Sequence, residues 1–248
     1  MSGYQDKTKF VIVTPAFNCA NNIVQTCISV IAQSYQDWRM VVYDDMSTDN
    51  TAEVVEAMSR HFNLGNKLTV IKREEKFGEV RNTIDAVQTI EDDEVVCRLD
   101  GGDWLTDLDT LRILDDVYRS KDPALVWTKH RWSFTNKNIS APLPPDANEY
   151  QYPWVSSHLK TFRKKSIDDI NINNFKDEDG NWIMIACDQA VFLPILHKAR
   201  VEKRHRMFLP MVCYHYSIDL KDPHLFTCDR SLNQKQSAEK IRERGFII

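Results

Sequence analysis

The stretch Val95-Val96-Cys97-Arg98-Leu99-Asp100-Gly101-Gly102-Asp103-Trp104 is a short apolar run that ends in two aspartates separated by two glycines. Such a run predicts a buried strand, and strands of open α/β folds bring their last side chains to the sheet edge where ligands bind. The paired glycines allow a sharp turn and a close approach of the backbone to a ligand. At this edge, Asp100 and Asp103 are suited to hold a hard divalent cation and, through it, a diphosphate. The alternative is an acidic turn that caps a helix starting near Thr106.

Length, charge and cysteine content limit the possible classes of protein. The 248 residues suffice for one sizeable domain or two closely fused lobes. The net charge of −4 provides no global basic field, so nucleic acid is not expected as a partner. The six cysteines are scattered without a C-x-x-C spacing, which favours a reducing compartment over a zinc site or a disulfide framework.

Hydropathy predicts a cytoplasmic protein without a transmembrane segment. The N-terminus does not resemble a signal peptide, and no apolar run reaches the roughly 18 residues that a membrane helix needs. The apolar end Phe246-Ile247-Ile248 offers a contact with a neighbouring protein or a membrane surface, so peripheral membrane association is an alternative. The sequence does not specify an oligomeric state.

The first part of the chain alternates apolar strands with amphipathic helices, a pattern typical of βαβ units and a parallel sheet. It lacks both G-x-G-x-x-G and a P-loop, which disfavours dinucleotide oxidoreductases and P-loop phosphotransferases. Pro15 is expected to end the first strand. The predicted strands are 9–14, 40–43, 68–71 and 95–100, and the helices between them carry Ile23 to Ile31, Val54 to Phe62 and Val80 to Val87.

The second part is less regular. A strand at 124–128 is followed by a Pro- and Asn-rich stretch, 136–153, which we interpret as a mobile loop or the joint between lobes. Helical spacing returns at 187–198, where Pro194 should kink or end the helix. A last strand at 207–216 and a polar helix at 231–244 complete the pattern.

Six segments, in this order, resemble the motifs of the family 2 glycosyltransferases of the GT-A fold. The resemblance runs from about Phe10 to Ser217. Each segment alone could be an ordinary strand or helix cap, but that does not explain why all of them occur together in this order. It implies an α/β, Rossmann-like fold with a mainly parallel central sheet flanked by helices and a smaller acceptor-side subdomain. The segments are Val11-Ile12-Val13-Thr14-Pro15-Ala16-Phe17-Asn18, Val42-Tyr43-Asp44-Asp45-Met46-Ser47-Thr48-Asp49, Phe77-Gly78-Glu79-Val80-Arg81-Asn82, Leu99-Asp100-Gly101-Gly102-Asp103-Trp104, Cys187-Asp188-Gln189-Ala190-Val191-Phe192 and Val212-Cys213-Tyr214-His215-Tyr216-Ser217.

The resemblance implies a nucleotide-sugar donor and a set of residues around it. The Pro-x-aromatic-Asn turn would cradle the base, and a carboxylate after the second strand would accept from the uracil imide, with Asp45 better aligned than Asp44. Arg81 would contact a phosphate. The donor residues carried over are Thr14, Pro15, Ala16, Phe17, Asn18, Asp44, Asp45, Gly78, Arg81, Arg98, Leu99, Asp100 and Gly101.

The metal motif departs from the family pattern, because the central acid of Leu-Asp-x-Asp-Asp is Gly102 here. The resemblance implies a Mn²⁺ or Mg²⁺ ion held by Asp100, Asp103 and His215. Alternatives are a weakly bound or dispensable metal, with Arg or Lys side chains neutralising the diphosphate, and a core position for His215.

Asp188 corresponds to the catalytic base of inverting members, and Trp154 and His158 to residues beneath the acceptor. The alternatives are a helix cap for Asp188 and core packing for Trp154. The chain is therefore predicted to be one catalytic domain, with a donor half at about 8–104, an acceptor half at about 105–220 and a helical tail at 221–248.

The predicted reaction is transfer of a hexosyl or pentosyl group from a UDP-sugar to a glycan or other hydroxyl acceptor, with inversion. Two rivals remain: a nucleotidyltransferase, for which the Gly-rich basic N-terminal signature is missing, and a non-catalytic or metal-independent nucleotide-sugar-binding module, which Gly102 favours.

Overall fold

The computed structural model describes residues 7–218 and 228–248. Its sheet has eight strands: β1 (Phe10–Ala16), β2 (Trp38–Asp44), β3 (Leu68–Lys72), β4 (Val95–Arg98), β5 (Trp104–Leu105), β6 (Leu125–Trp132), β7 (Lys160–Arg163) and β8 (Arg206–Tyr216). The helices are α1 (Ile23–Ile31), α2 (Thr51–His61), α3 (Gly78–Val87), α4 (Thr110–Lys121), α5 (Cys187–Val201) and α6 (Cys228–Arg244). Short 3₁₀ turns lie at Gly65–Lys67, Lys164–Ser166 and Ile172–Phe175.

The strand order is β3-β2-β1-β4-β7-β6-β8-β5. The four strands β3, β2, β1 and β4 are parallel, as the alternating pattern predicts. β7 then runs antiparallel to β4 and to β6, so that Lys160 pairs with Arg98. This reversal brings the beginning of β7 to the edge where β1 and β4 end.

Alternation along β1 divides the core into two layers, because successive side chains of a strand point to opposite faces. Val11 and Val13 face a cluster that includes residues of α3, α5 and α6. Phe10 and Ile12 face a second cluster that includes residues of α1, α2 and α4. Helices therefore cover both faces of the sheet, as parallel strands require.

Neither Pro15 nor Pro194 ends its element, as the sequence pattern had allowed. Pro15 lies inside β1, paired with Tyr43, and does not end the strand. Its pairing with β4 has already ended at Val13 and Arg98, so a missing N–H there breaks no ladder bond. Pro194 lies inside α5, which continues to Val201 because its apolar residues are buried on several sides.

The stretch 136–153 is irregular, but it is tied to the rest of the fold. The Trp127 indole donates to the Ala141 carbonyl (2.9 Å), and the Arg206 guanidinium donates to Pro144 (3.1 Å). The Glu149 carboxylate is buried and accepts from Arg200 and Arg206 (3.0 and 2.9 Å). These contacts make it a packed loop rather than a joint between lobes.

The tail is helical from Cys228, and the part of the tail prediction at 221–227 lies outside the described residues. The apolar end packs on its own chain: Phe246 stacks on His197 with ring centroids 4.2 Å apart, and the Ile247 amide donates to Asn174 (2.9 Å). None of the helices in the described ranges combines the length and apolar character needed to cross a membrane.

Candidate active site

Three elements converge at the end of β4. Asp100 follows β4, Lys160 begins β7 with His158 two residues before it, and Asp188 lies in the first turn of α5. The antiparallel register between β4 and β7 is what brings residues distant in sequence into one place, since Arg98 pairs with Lys160. The convergence lies outside the carboxyl ends of β1 and β4, the usual binding crevice of open α/β sheets.

A cavity of about 790 Å³ opens at this point. It lies within the about 300–1,000 Å³ range typical of ligand pockets. Four of the residues predicted from the sequence to form the site line this cavity: Asp100, Trp154, His158 and Asp188. The structure thus brings the proposed base, one proposed metal ligand and both proposed acceptor residues together.

Asp100, His158 and Asp188 form a row along the cavity. The His158 Nε2 atom lies 3.4 Å from an Asp188 carboxylate oxygen, and its Nδ1 atom lies 4.0 Å from one of Asp100. The His158 ring stacks on Tyr214, with centroids 4.6 Å apart. The other Asp188 oxygen accepts a hydrogen bond from the buried ammonium group of Lys160.

These contacts determine the protonation states. Burial and the positive charge of Lys160 lower the pKa of His158 to about 4, so its imidazole is neutral at pH 7. Burial alone would raise the pKa of Asp188, but Lys160, His158 and Arg98 outweigh it and hold that pKa below its ordinary value. Asp188 is therefore a carboxylate at neutral pH.

At the other end of the cavity, the buried Arg98 guanidinium contacts Asp100 and donates to Glu79 (2.9 Å) and to the Thr83 hydroxyl (3.1 Å). Burial in the cavity wall and the nearby charge of Asp100 raise the pKa of Glu79 to about 7, although half of its side chain is exposed to solvent through the cavity. Arg98 thus keeps Asp100 oriented while neutralising the local carboxylates.

The predicted metal ligands are not assembled. The Asp103 carboxylate turns away and accepts from the Tyr214 hydroxyl (2.5 Å) and the Ser217 amide (2.8 Å), and burial raises its pKa. His215 stacks on Trp104 (4.0 Å), with its Nε2 atom 2.8 Å from the Ser133 hydroxyl. Within 7–218 and 228–248, no three His, Cys, Asp or Glu side chains are grouped to hold a metal.

The glycine turn explains this difference. A Cβ atom at Gly101 would lie 2.9–3.0 Å from Ala16 and the Pro15 carbonyl, and Gly102 has φ of +99°. Side chains rarely adopt that φ, so the backbone itself opposes an acid at Gly102. Asp103 and His215 lie outside the cavity wall, and Asp100 alone of the three lines it, so the metal assignment of the trio stays a prediction.

The Asp44–Asp45 pair also differs from the expectation. The Asp45 carboxylate accepts from the backbone amides of Phe77 (2.8 Å) and Gly78 (2.9 Å) and from the Asn82 amide (2.9 Å). It therefore holds the start of α3, and the preference for Asp45 as the base-recognising carboxylate is not supported by its contacts. Asp44 accepts from the Ser47 amide (3.1 Å).

The Pro-x-aromatic-Asn turn is tied to the loop after β2. Asn18 donates from its amide to the Ser47 hydroxyl (2.9 Å) and accepts from the Thr48 amide (2.8 Å). Phe17 is 45% exposed, with the Lys76 ammonium 3.5 Å from its ring centroid. Thr14, Pro15, Ala16 and Leu99 are buried and shape this edge through the backbone.

Arg81, predicted to contact a phosphate, contacts its own neighbours in the structure. Its guanidinium stacks on Phe77, 3.3 Å from the ring centroid, and pairs with Glu75 at 3.8 Å. Arg81 is not part of the cavity wall, whereas Arg98 contacts Asp100 in that wall.

Sequence reasoning missed Lys160, Glu79 and Tyr214. Lys160 is 1% exposed, and a buried lysine requires a counter-charge, which is Asp188. Its position two residues after His158, a predicted acceptor residue, is the one available signal, because the residue type does not reveal burial.

A comparison with known families identifies the relationship. The sequence model described as Glycosyl transferase family 2 matches residues 11–176, more than half of the chain. The chain belongs to this family.

Named relatives of this family 2 chain include the chondroitin synthase of Pasteurella multocida (strain Pm70). It is 28% identical over 150 residues, which cover 60% of this chain and 14% of the synthase. The family 2 chain thus corresponds to a small part of that relative.

Solved structures confirm the predicted GT-A fold. S. aureus TarS 1–349 in complex with UDP-GlcNAc has a TM-score of 0.65 at 18% identity, over 93% of this chain and 64% of that one. The mannosyltransferase PcManGT from Pyrobaculum calidifontis, in complex with GDP-Man and Mn²⁺, has a TM-score of 0.60 at 17% identity, over 89% of this chain and 60% of that one.

Proposed function

We propose that this family 2 chain transfers a sugar from a UDP-sugar to a hydroxyl of a glycan, with Asp188 as general base. The observation that carries the proposal is the Asp188 carboxylate in the cavity wall, oriented by Lys160 and 3.4 Å from the His158 imidazole. Family membership and the TarS complex with UDP-GlcNAc support a nucleotide-sugar donor.

In the proposed reaction, one displacement inverts the anomeric centre. The acceptor oxygen forms a bond to the anomeric carbon while the bond to the diphosphate breaks, and the electron pair leaves with the diphosphate. Asp188 takes the proton of the acceptor hydroxyl as that oxygen attacks. Lys160 holds one carboxylate oxygen, which leaves the other, beside His158, to receive the proton.

The acceptor and donor would enter from different sides of the row. Trp154 and His158 line the cavity, where an indole face would pack on a sugar ring and an imidazole would hydrogen-bond a hydroxyl. Exposed Phe17 and the Asp44 carboxylate, at the ends of β1 and β2, would bind the uracil base by stacking and by accepting from its imide.

The proposed mechanism does not depend on a divalent cation. Among the described residues, Asp100 is the single carboxylate of the predicted metal trio in the cavity wall, and Arg98 already contacts it. The residues present do not fit a three-ligand site, and no step is assigned to a metal. UDP affinity with Mn²⁺ and with EDTA tests this directly.

The decisive experiment is Asp188→Asn. We expect transfer to fall by about 10²–10⁴-fold, the contribution of a general base, while UDP affinity stays within about twofold. Asp116→Asn, at an exposed position of α4, is the matched control. Wild-type transfer by the Asp188→Asn variant would remove Asp188 from the base role.

One rival function has a specific observation in its favour. A non-catalytic nucleotide-sugar-binding module is consistent with Gly102 and with the buried Asp103. Release of UDP from a panel of UDP-sugars separates the two, since a module binds the nucleotide without releasing it from the sugar.

A further inference from the structure

A second cavity, of about 520 Å³, lies beside the first. It is enclosed by the hairpin loop, defined here as residues 176–185, and by one face of α6. Met184, Ile185 and Asn233 belong to the walls of both cavities, so the two are adjacent. The site described above does not use this space.

The walls are fixed by hydrogen bonds. Within the hairpin loop, Lys176 bridges to Trp182, and the Asp177 carboxylate accepts from the Asn181 amide (2.8 Å). α6 is tied to both ends of the loop: Arg244 donates to the Lys176 carbonyl, and the Ser237 hydroxyl donates to the Ile185 carbonyl (3.0 Å). The shape of the cavity is therefore maintained by contacts within the chain.

The lining has the chemistry of a carbohydrate site. Trp182 supplies an aromatic face, and the exposed amides of Asn233 and Gln236 lie on one side of α6 because they are three residues apart. Met184 and Ile185, 48% and 45% exposed, form an apolar ridge between the cavities. An indole and an apolar ridge pack against the C–H faces of sugars, while amides bind their hydroxyls.

The charge of the wall selects among glycans. The wall contains three carboxylates, Asp177, Glu178 and Asp179, and two cationic side chains, Lys240 and Arg244, and the Arg244 guanidinium donates to main-chain carbonyls. Carboxylates accept hydrogen bonds from hydroxyls but repel carboxylate or phosphate groups of a ligand.

We propose that this second cavity is a subsite for the non-reacting units of an uncharged oligosaccharide acceptor. The inference rests on the proposed function, because it places the reacting hydroxyl at Asp188 and the rest of the acceptor across the ridge of Met184 and Ile185. In this proposal, an acceptor of three or more sugar units occupies both cavities.

The test is binding of the whole chain to an array of uncharged and anionic oligosaccharides of two to six units. We expect uncharged oligosaccharides of three or more units to bind at least about tenfold more tightly than those bearing uronic acid or phosphate. Trp182→Ala and the double variant Asn233→Ala/Gln236→Ala should each weaken that binding at least about tenfold. The double variant changes only exposed side chains of α6, and Gln88→Ala, at an exposed glutamine outside both cavities, is the matched control.

Three results would overturn the subsite: tighter binding of anionic oligosaccharides, wild-type binding by both variants, or no binding of any oligosaccharide. UDP-sugar hydrolysis by the same preparations keeps the two proposals apart. Hydrolysis without oligosaccharide binding refutes the subsite and leaves the transferase proposal intact. If the wild-type chain neither binds UDP nor hydrolyses UDP-sugars, the transferase proposal is refuted instead.

Discussion

The pair formed by Lys160 and Asp188 couples stability to the proposed chemistry at the scale of single residues. Lys160 is 1% exposed, and its ammonium group contacts Asp188 in the cavity wall. Removing one partner of a buried ion pair leaves the other charge uncompensated. Position 160 therefore controls the protonation of the proposed base.

We predict that Lys160→Met lowers the free energy of unfolding by about 3–5 kcal/mol. It should also raise the pKa of Asp188, because burial then acts without the opposing charge of Lys160. The acidic limb of the transfer profile would move to higher pH. Urea unfolding and a pH–rate profile measure both effects, and exposed Lys165→Met should change stability by less than about 0.5 kcal/mol. An unmoved acidic limb would contradict the coupling.

His130 gives a second prediction at this scale. It is 1% exposed, and burial together with the charge of Lys160 lowers its pKa from 6.5 to about 4. Between these values the unfolded chain binds the proton more readily, so stability present above pH 6.5 is lost as the pH falls toward 4. From pH 7 to pH 4, the wild-type chain should lose on the order of 3 kcal/mol more than His130→Gln.

Comparing these two chains by urea unfolding cancels the contributions of His158, which have the same sign, and of Glu79, which have the opposite sign. Exposed His205→Gln controls for the change of residue type. Equal losses in the wild-type chain and in His130→Gln would show that His130 does not titrate as its burial requires.

At the scale of elements, the start of α3 is held by the side chain of Asp45, the residue that follows β2. Asp45 accepts three hydrogen bonds there, two from backbone amides and one from Asn82. The carboxylate of its neighbour Asp44 accepts a hydrogen bond from the Ser47 backbone amide. Adjacent carboxylates thus have separable roles, one holding the helix and one proposed for the nucleotide base.

We predict that Asp45→Ala lowers the free energy of unfolding by about 2–3 kcal/mol, because it leaves buried donors unsatisfied. Asp44→Ala should cost less than about 1 kcal/mol and should weaken UDP binding at least about tenfold. Urea unfolding measures the loss of stability in each variant, and thermal shifts with UDP, GDP and dTDP measure the loss of nucleotide binding. The reverse pattern, with Asp44 supporting α3 and Asp45 binding UDP, would restore the sequence-based preference.

At the scale of the whole molecule, α6 joins the packed loop 136–153 to α5. The Arg242 guanidinium donates to the carbonyls of Glu149 (3.2 Å), Tyr150 (3.0 Å) and Tyr152 (2.8 Å) and to the Gln189 side chain (2.6 Å). One side chain thus connects the tail, the loop and α5, which carries Asp188. The tail is part of the scaffold of both cavities.

We predict that Arg242→Ala lowers the free energy of unfolding by about 2–3 kcal/mol, because several charge-assisted hydrogen bonds are lost. Cleavage within 136–153 by a broad-specificity protease should be faster, since the loop loses its attachment to α6. Arg112→Ala, at an arginine whose side chain is 54% exposed, is the matched control. A loop as resistant as in the wild-type chain would show that Glu149 and Trp127 hold it without α6.

Local pattern was enough for the elements of the first half. Four parallel strands and their helices follow from apolar periodicity, and the family follows from motifs in a fixed order, which the family match confirms. The strand end expected at Pro15 and the helix end considered at Pro194 are absent because the tolerance of a proline depends on what pairs beside it, which a local pattern does not contain.

The candidate site could be predicted only in part, because a local pattern does not show which residues lie together in the folded chain. The sequence by itself determined the fold class, the family and the positions of Asp100 and Asp188, because these depend on residue type and spacing along the chain. Only the tertiary structure decided that Asp103 and His215 face away from the cavity, that Asp45 holds α3, and that Lys160 lies against Asp188. Those outcomes depend on burial and on partners distant in sequence, since a charge taken out of water must find its counter-charge wherever the folded chain supplies it.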